Sequence, residues 1–210
     1  MKDAQGDPAY GRTNWRRFAV AVAVPTAATA ALLVGMSSGA FGATFTVSGQ
    51  SFKISADKLD GTGFAQYGDR VKKKDGTEIP VAMSGIASAK LYNLCQSVKT
   101  PGLPITLTIR AGRGEGSPAK ATNLLIGMSE LSGDAEFTDI NIGQDASTLG
   151  LGGSEAHSEQ AGLFGQEAKR VVINDLKQTA ISTSAGTFTL TGLNLKVNLP
   201  GSDGKPVECF

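Results

Sequence analysis

Apolar and polar residues alternate along most of the chain after residue 43. The segment Ile105–Arg110 is the clearest case, because every second side chain in it is apolar. Phe45 and Val47, then Phe52 and Ile54, show the same pattern on a shorter scale. Alternation with a period of two is typical of half-buried strands, and glycine-containing turns separate these runs. The pattern therefore predicts an all-β fold.

The alternation changes phase at two places. Phe188 and Leu190 share one phase, whereas Leu193 and Leu195, after Gly192, have the opposite phase. A similar change of phase separates Phe137 from Ile140, around Asp139. An extra residue, a β-bulge, would absorb such a slip and would bend the strand. We therefore expect a single bent antiparallel sheet, which is either barrel-like or a β-sandwich. The apolar residues that flank the two breaks are Phe137, Ile140, Ile142, Phe188, Leu190, Leu193 and Leu195.

A bent sheet would gather these flanking residues around a common apolar interior. An interior larger than its side chains can fill would form a pocket of several hundred Å³, which suits a lipid or another apolar small molecule. The glycine-rich segment 144–166 would supply Leu163 and Phe164 as a cover for its mouth, or would be a mobile insertion. The seven flanking residues, Leu163 and Phe164 are therefore the predicted ligand-binding residues. Assembly at the cell surface, or a purely structural role, are the alternatives.

Residues 1–43 have the composition of an export leader. Basic residues, including Arg16 and Arg17, precede an uncharged run of about seventeen residues, 18–34, and a small-residue stretch, 37–43, follows. This order predicts an apolar helix that acts either as a cleaved signal peptide or as a membrane anchor. Residues 44–210 then form a β-rich extracytoplasmic domain, which is secreted or is attached to the membrane through residues 18–34.

The charge and the cysteines limit the possible partners. Twenty basic residues against nineteen acidic ones give a formal charge of +1, so we expect no nucleic-acid partner. Cys95 and Cys209 are the only cysteines, and in an exported chain such a pair is most simply a disulfide. The bridge would close a loop of more than a hundred residues and pin the penultimate residue of the sequence. The sequence gives no indication of oligomeric state.

Catalytic and metal-binding signals are weak. His157 is the only histidine, and a triad of Ser129, His157 and Asp145 is the one arrangement that would support a carboxylic ester hydrolase. The chain lacks the G-x-S-x-G elbow that holds a nucleophilic serine in many esterases. No acidic spacing matches a calcium loop, so we expect no metal and no cofactor. These observations favour a non-enzymatic protein.

Four short motifs carry a family resemblance: Val47–Gln50, Lys58–Tyr67, Asn93–Ser97 and Glu208–Phe210. With them the chain resembles a family of small, functionally undefined exported proteins from filamentous actinobacteria, whose members are often labelled "cholesterol esterase". The resemblance implies an envelope or extracellular location. Its label makes a secreted serine esterase, acting on sterol or acyl esters, the enzymatic alternative.

Overall fold

A computed structural model describes residues 46–210, except residues 115, 155, 157, 159, 160 and 203. The predicted leader helix and the leader segment 1–43 lie outside the described residues. The all-β prediction is confirmed for the part that is described. Its elements are β1 Phe52–Lys72, β2 Glu78–Tyr92, β3 Leu94–Lys99, β4 Thr106–Ala111, β5 Ala119–Asp145, a 3-10 turn Ala146–Thr148, β6 Phe164–Ser184, β7 Thr187–Thr189 and β8 Asn194–Asn198.

All of these strands belong to one antiparallel sheet. β1 pairs with β2 and β6, and β5 pairs with the same two strands, so the four longest strands close a circuit. β3, β4 and β8 extend from one end of β1 as an open flank, which we call the wing. The expected single antiparallel sheet is confirmed, although the open wing means that it is not a clean barrel. The alternative of two packed sheets is wrong.

The side-chain alternation changes phase along a line that crosses the circuit. Gly63 in β1, Asn123 in β5 and Asp139 in β5 all have positive φ on this line, at 66°, 47° and 53°. Glycine, asparagine and aspartate are the residues that tolerate this backbone conformation best. Leu59 and Phe64, on either side of Gly63, consequently point into the same core although they stand an odd number of positions apart.

A second line of phase change runs through Asn93 and Asp175, whose φ values are 51° and 50°. Asn93 joins β2 to β3, and its Nδ2 donates a hydrogen bond to Oδ1 of Asp57 in β1 at 3.2 Å. Leu91 before this point and Leu94 after it are both buried in the same core. The two lines allow long strands to keep one face apolar through several changes of phase.

The predicted bulges are therefore wrong in position and in kind. Gly192 lies in the turn between β7 and β8 rather than within a strand. At Asp139 the pairing of β5 with β6 passes from Thr138–Arg170 to Ile140–Ala168 without a shift of register. A positive φ, with no extra residue, produces the phase change there. The register shifts of this strand pair lie at Gly127/Met128, Met128/Glu130, Ser132/Asp134 and Ile142/Gln144.

The main core lies on one face of the circuit strands. Leu124, Val171 and Leu176 are among its fully buried side chains. Phe137 packs on Phe64 with ring centroids 5.3 Å apart, which links β5 to β1 across the core. Aromatic pairs of this kind add to the stability that the burial of apolar area provides.

A smaller apolar cluster covers the opposite face of the same strands. Tyr67 and Met83 belong to it, together with Leu149 and Ala156 from the segment between β5 and β6. Gly85 provides the space for this segment, because the methyl group of Ala156 lies where a side chain at position 85 would point. The described part of the segment is thus packed on the outer face, and it does not cover a groove on the inner one.

Candidate functional site

The wing carries an apolar face that continues the core face of the sheet. β4 pairs with β8 through Ile109–Leu195 and Leu107–Val197, and β3 pairs with β4 through Val98–Leu107. Directly opposed residues of antiparallel strands point to the same side of the sheet. Val98, Leu107, Ile109, Leu195 and Val197 therefore share one side, which we call the apolar wing face.

This face is open to solvent along its outer strand. Leu195 and Val197 are 56 % and 57 % exposed, and Leu193 and Leu199 at the two ends of the same stripe are 54 % and 72 % exposed. Single exposed leucines are ordinary, but four at alternating positions form a contiguous apolar stripe. β8 is also an edge strand, because in the described chain it pairs only with β4.

The polar side of the wing is buried at β4, although Asn194 and Lys196 of β8 on the same side are exposed. Thr106 and Thr108 of β4 point to this side and are only 2 % and 5 % exposed. The side-chain Nδ2 of Asn198 in β8 donates to the carbonyl oxygen of Thr106 at 3.3 Å and to Oγ1 of Thr108 at 3.0 Å. The usual orientation of a half-buried sheet, with apolar residues inside and polar residues in water, is thus reversed in the wing.

A disulfide holds the end of the segment 200–210, which we call the tail, against this polar side. Cys95 of β3 is bonded to Cys209, with their Cα atoms 5.9 Å apart, so the predicted bridge is confirmed. The backbone N–H of Cys209 donates to Oγ of the buried Ser97 at 3.1 Å. The tail therefore has a covalent link and a buried hydrogen bond on the same strand.

Ionic contacts fix the last residues of the tail further. Glu208 lies 3.1 Å from Nζ of Lys99 and 3.4 Å from Nζ of Lys53. Nζ of Lys53 also donates to the backbone oxygen of Phe210 at 2.7 Å and lies 5.0 Å from the centre of its ring. These contacts attach the tail to β1 and β3 on the polar side, which leaves the apolar wing face as the uncovered one.

The core beside the wing face is well filled. The apolar cavity between them has a volume of about 20 Å³, which is room for a single water molecule and not for a lipid. Its lining includes Leu94, Gln96 and Phe188, at the edge where the core meets the wing. An open depression of about 350 Å³ lies elsewhere, between residues 143–145 and 162–164.

The nine predicted ligand-binding residues do not share one interior. Phe137, Ile140 and Leu190 pack against the core, and Leu163 packs against the outer cluster. Leu193 and Leu195 lie on the exposed stripe of β8. The remaining three are partly or largely exposed, with Phe188 beside the small cavity and Ile142 and Phe164 at 67 % and 61 % exposure.

The catalytic candidates are not assembled among the described residues. Ser129 lies in β5, where its Oγ donates to the carbonyl oxygen of Thr179 at 3.4 Å. Asp145 ends the same strand and pairs with Phe164, at the far end of the β5–β6 ladder. His157 lies outside the described residues. Ser129 and Asp145 therefore take part in separate local contacts.

Asp145 has a structural task where it stands. Its Oδ1 accepts hydrogen bonds from the backbone N–H and the hydroxyl of Ser147 at 2.9 and 2.8 Å, and its Oδ2 accepts from the N–H of Gly162 at 2.8 Å. The hydrogen bonds from the Ser147 and Gly162 amides hold the pKa of this carboxyl below its usual value. Such a carboxylate caps the 3-10 turn and ties both ends of the segment together.

Other kinds of site have little support. Across the described ranges, no three histidine, cysteine, aspartate or glutamate side chains lie close enough to hold a metal ion. No helix in the same part of the chain is long and apolar enough to span a membrane.

Most of the wing face was absent from the sequence prediction. Val98, Leu107, Ile109 and Val197 were not among the candidates, although the alternation over 105–110 placed two of them on one side of a strand. The alternation does not say which side of a strand will be covered. In this protein the tail determines which side is covered. The only sign of the tail's position in the sequence is the pair Cys95 and Cys209.

These features define an all-β protein with an exposed apolar face and a disulfide-held tail. The chain belongs to DUF6230, a family of unknown function, whose family model matches residues 48–210. This description carries neither an actinobacterial origin nor an esterase label. No curated protein and no solved structure matches the chain.

Proposed function

We propose that the protein is an exported, non-enzymatic β-protein of the cell envelope that assembles with a protein partner through the apolar wing face. The observation that carries the proposal is the reversed wing, in which Thr106 and Thr108 are buried while Leu195 and Val197 are exposed. Exposed apolar surface of this extent on a folded protein is typical of an interaction site.

Two features support a location outside the cytoplasm. The leader has the order of charged, apolar and small residues that export requires. The bridge between Cys95 and Cys209 is of a kind that persists in oxidising compartments. The resemblance to exported actinobacterial proteins agrees with both.

The shapes of the two cavities favour assembly over the enclosure of a lipid. The apolar cavity of about 20 Å³ is far below the several hundred Å³ that a ligand pocket of that kind occupies, and the depression of about 350 Å³ beside Leu163 and Phe164 is open to solvent and does not enclose a ligand. The esterase alternative gains no support from Ser129 and Asp145, because each is engaged in its own local hydrogen bonds.

The test uses cells that produce the full-length protein and a membrane-impermeant, amine-reactive cross-linker. We expect a cross-linked product of higher mass, formed from outside the cell. A variant with Leu195→Thr and Val197→Thr keeps the strand propensity of β8 and should lose this product. The control, Ile142→Thr with Phe164→Thr, changes two equally exposed apolar residues outside the wing and should keep it.

Three results would contradict the proposal. Absence of labelling from outside the cell would exclude the location, and an unchanged product in the wing variant would exclude the surface. Hydrolysis of a chromogenic acyl ester that is lost in both Ser129→Ala and His157→Ala would replace the proposal with the esterase alternative.

A further inference from the structure

We infer that the partner of the apolar wing face is a second copy of this chain, joined by antiparallel pairing of β8 with β8. The inference rests on the proposed function and names its partner. Three features of β8 carry it: its free edge, its apolar stripe, and the single lysine that stands between two asparagines on its polar side.

The free edge of β8 favours a protein over a lipid as the partner of the apolar wing face. β8 pairs with β4 on one side, and within the described chain its other edge has no strand beside it. Its outward N–H and C=O groups are hydrated while the edge faces water. In hydrocarbon they would have no partners, and open sheet edges do not occur there because each unsatisfied group costs several kcal/mol. A protein strand that pairs with this edge satisfies these groups while it covers the Leu195 side of β8, which a hydrocarbon surface cannot do.

The sequence of β8 fits its own copy in one register. When Leu195 lies opposite Leu195 of the second copy, Leu193 lies opposite Val197 and Asn194 lies opposite Lys196. Leu193, Leu195 and Val197 then meet apolar side chains on one side, and on the other side Lys196 of each copy meets an asparagine. Such cross-strand pairs stabilise an antiparallel ladder.

The neighbouring registers are poorer. A shift that centres the pairing on Lys196 places the two lysines directly opposite each other, which is destabilising. A shift that centres it on Val197 brings Pro200 opposite Asn194, and proline cannot donate to the ladder. A register offset by one residue would place apolar side chains against polar ones. The Leu195-centred register is the one without such a conflict.

The pairing joins two wings into one longer sheet and lets the two stripes pack side by side. A Leu195-centred ladder spans the five residues 193–197, of which only 194–196 lie within β8 on both strands. Such a ladder is short, so we expect a dimer that dissociates on dilution, with a dissociation constant on the order of micromolar. Two-fold symmetry closes the assembly at two copies through this edge.

The experiment uses purified full-length protein with a single added cysteine. Leu195→Cys places one thiol opposite its own copy in the expected register, and mild oxidation should convert most of the protein into a disulfide-linked dimer. Ile142→Cys is the control, because Ile142 is even more exposed and lies on β5, away from the wing. It should give little dimer at the same protein concentration.

Sedimentation equilibrium supplies a measurement without added thiols. The wild-type protein should show a concentration-dependent monomer–dimer equilibrium, and the variant with Leu195→Thr and Val197→Thr should dissociate at least ten times more readily. A wild-type monomer throughout, with equal cross-linking of Leu195→Cys and Ile142→Cys, overturns the inference. The proposed function would survive that result if the product cross-linked in cells contained a different protein, and would fail with it if no product formed.

Discussion

A side chain at Gly85 would collide with the methyl group of Ala156, and the carbonyl oxygen of Gly152 lies 2.7 Å from the position its Cβ would take. These two contacts show that β2 approaches the segment between β5 and β6 too closely for any residue but glycine. The segment contributes Ala146, Leu149 and Ala156 to the outer cluster, and Leu163 packs against it.

Gly85→Ala should therefore destabilise the protein by about 1–3 kcal/mol, the usual cost of overpacking a filled site. Urea unfolding measures this change. Gly68→Ala is the matched control, because Gly68 lies in a strand with nothing within 4 Å of its Cβ position, and it should leave stability unchanged or slightly higher. Equal effects of the two substitutions would contradict the close approach of the segment.

Removal of the bridge should destabilise the protein strongly. The variant Cys95→Ala with Cys209→Ala should lose about 2–5 kcal/mol of unfolding free energy, because the bridge closes a loop with a sequence separation of 114. The tail should also become sensitive to proteases. Ser97→Ala serves as the comparison, since it removes the hydrogen bond to Cys209 and keeps the bridge; it should cost about 1 kcal/mol. A tail that stays resistant without the bridge would show that the ionic contacts of Glu208 are sufficient.

The ion pair of Asp60 and Arg170 should give stability a pH dependence. Nε and Nη2 of Arg170 donate to the two carboxylate oxygens of Asp60, each at 3.0 Å, and this hydrogen bonding lowers the pKa of Asp60. A lowered folded-state pKa contributes stability that is complete above the unfolded value, about 3.9, and is lost as the pH falls through the folded value.

Asp60→Asn should accordingly lower the urea midpoint at pH 7, and its difference from wild type should shrink as the pH falls below about 4. Glu78→Gln, which breaks the more exposed contact with Arg70, provides the control and should have a smaller effect at neutral pH. A pH-independent effect of Asp60→Asn would mean that packing, and not ionisation, accounts for the contribution of Asp60.

Asp145 should act as a cap and not as a catalytic group. Asp145→Ala removes the acceptors for the N–H groups of Ser147 and Gly162, so hydrogen exchange at both amides should become faster. In the wild type the same acceleration should occur as acid protonates the carboxylate, below its usual pKa because the folded-state value is lowered. Thr187→Ala, a substitution at an exposed position of β7 outside this segment, should leave the exchange of these amides unchanged.

The sequence predicted the all-β class and the position of some strands, but it did not predict the path of the sheet. Period-two alternation correctly predicted β4 and the start of β1. Such alternation arises whenever one side of a strand is more exposed to solvent than the other. The sequence also shows the change of phase between Phe137 and Ile140, which a β-bulge with one extra residue would explain. A single aspartate at positive φ gives the same slip, and the two causes look alike in a sequence.

The wing face could not be predicted for a different reason. Thr106 and Thr108 alternate with Leu107 and Ile109, so the sequence indicates two faces but not which of them is covered. That choice depends on contacts between segments far apart in the chain, such as Ser97 with Cys209. The disulfide itself was predictable, since two cysteines allow only one pairing within the chain.

The position of Cys209 also sets an order of events. Cys209 follows all eight described strands, so the bridge to Cys95 cannot form until each of them has been synthesised. Until an oxidant closes it, the tail is held only by hydrogen bonds and ion pairs, and the threonine side of the wing remains open to water. Formation of the bridge is therefore the last covalent step of folding. Once it has formed, the tail covers the threonine side of the wing, and the leucines and the valine of β8 stay exposed on the other side.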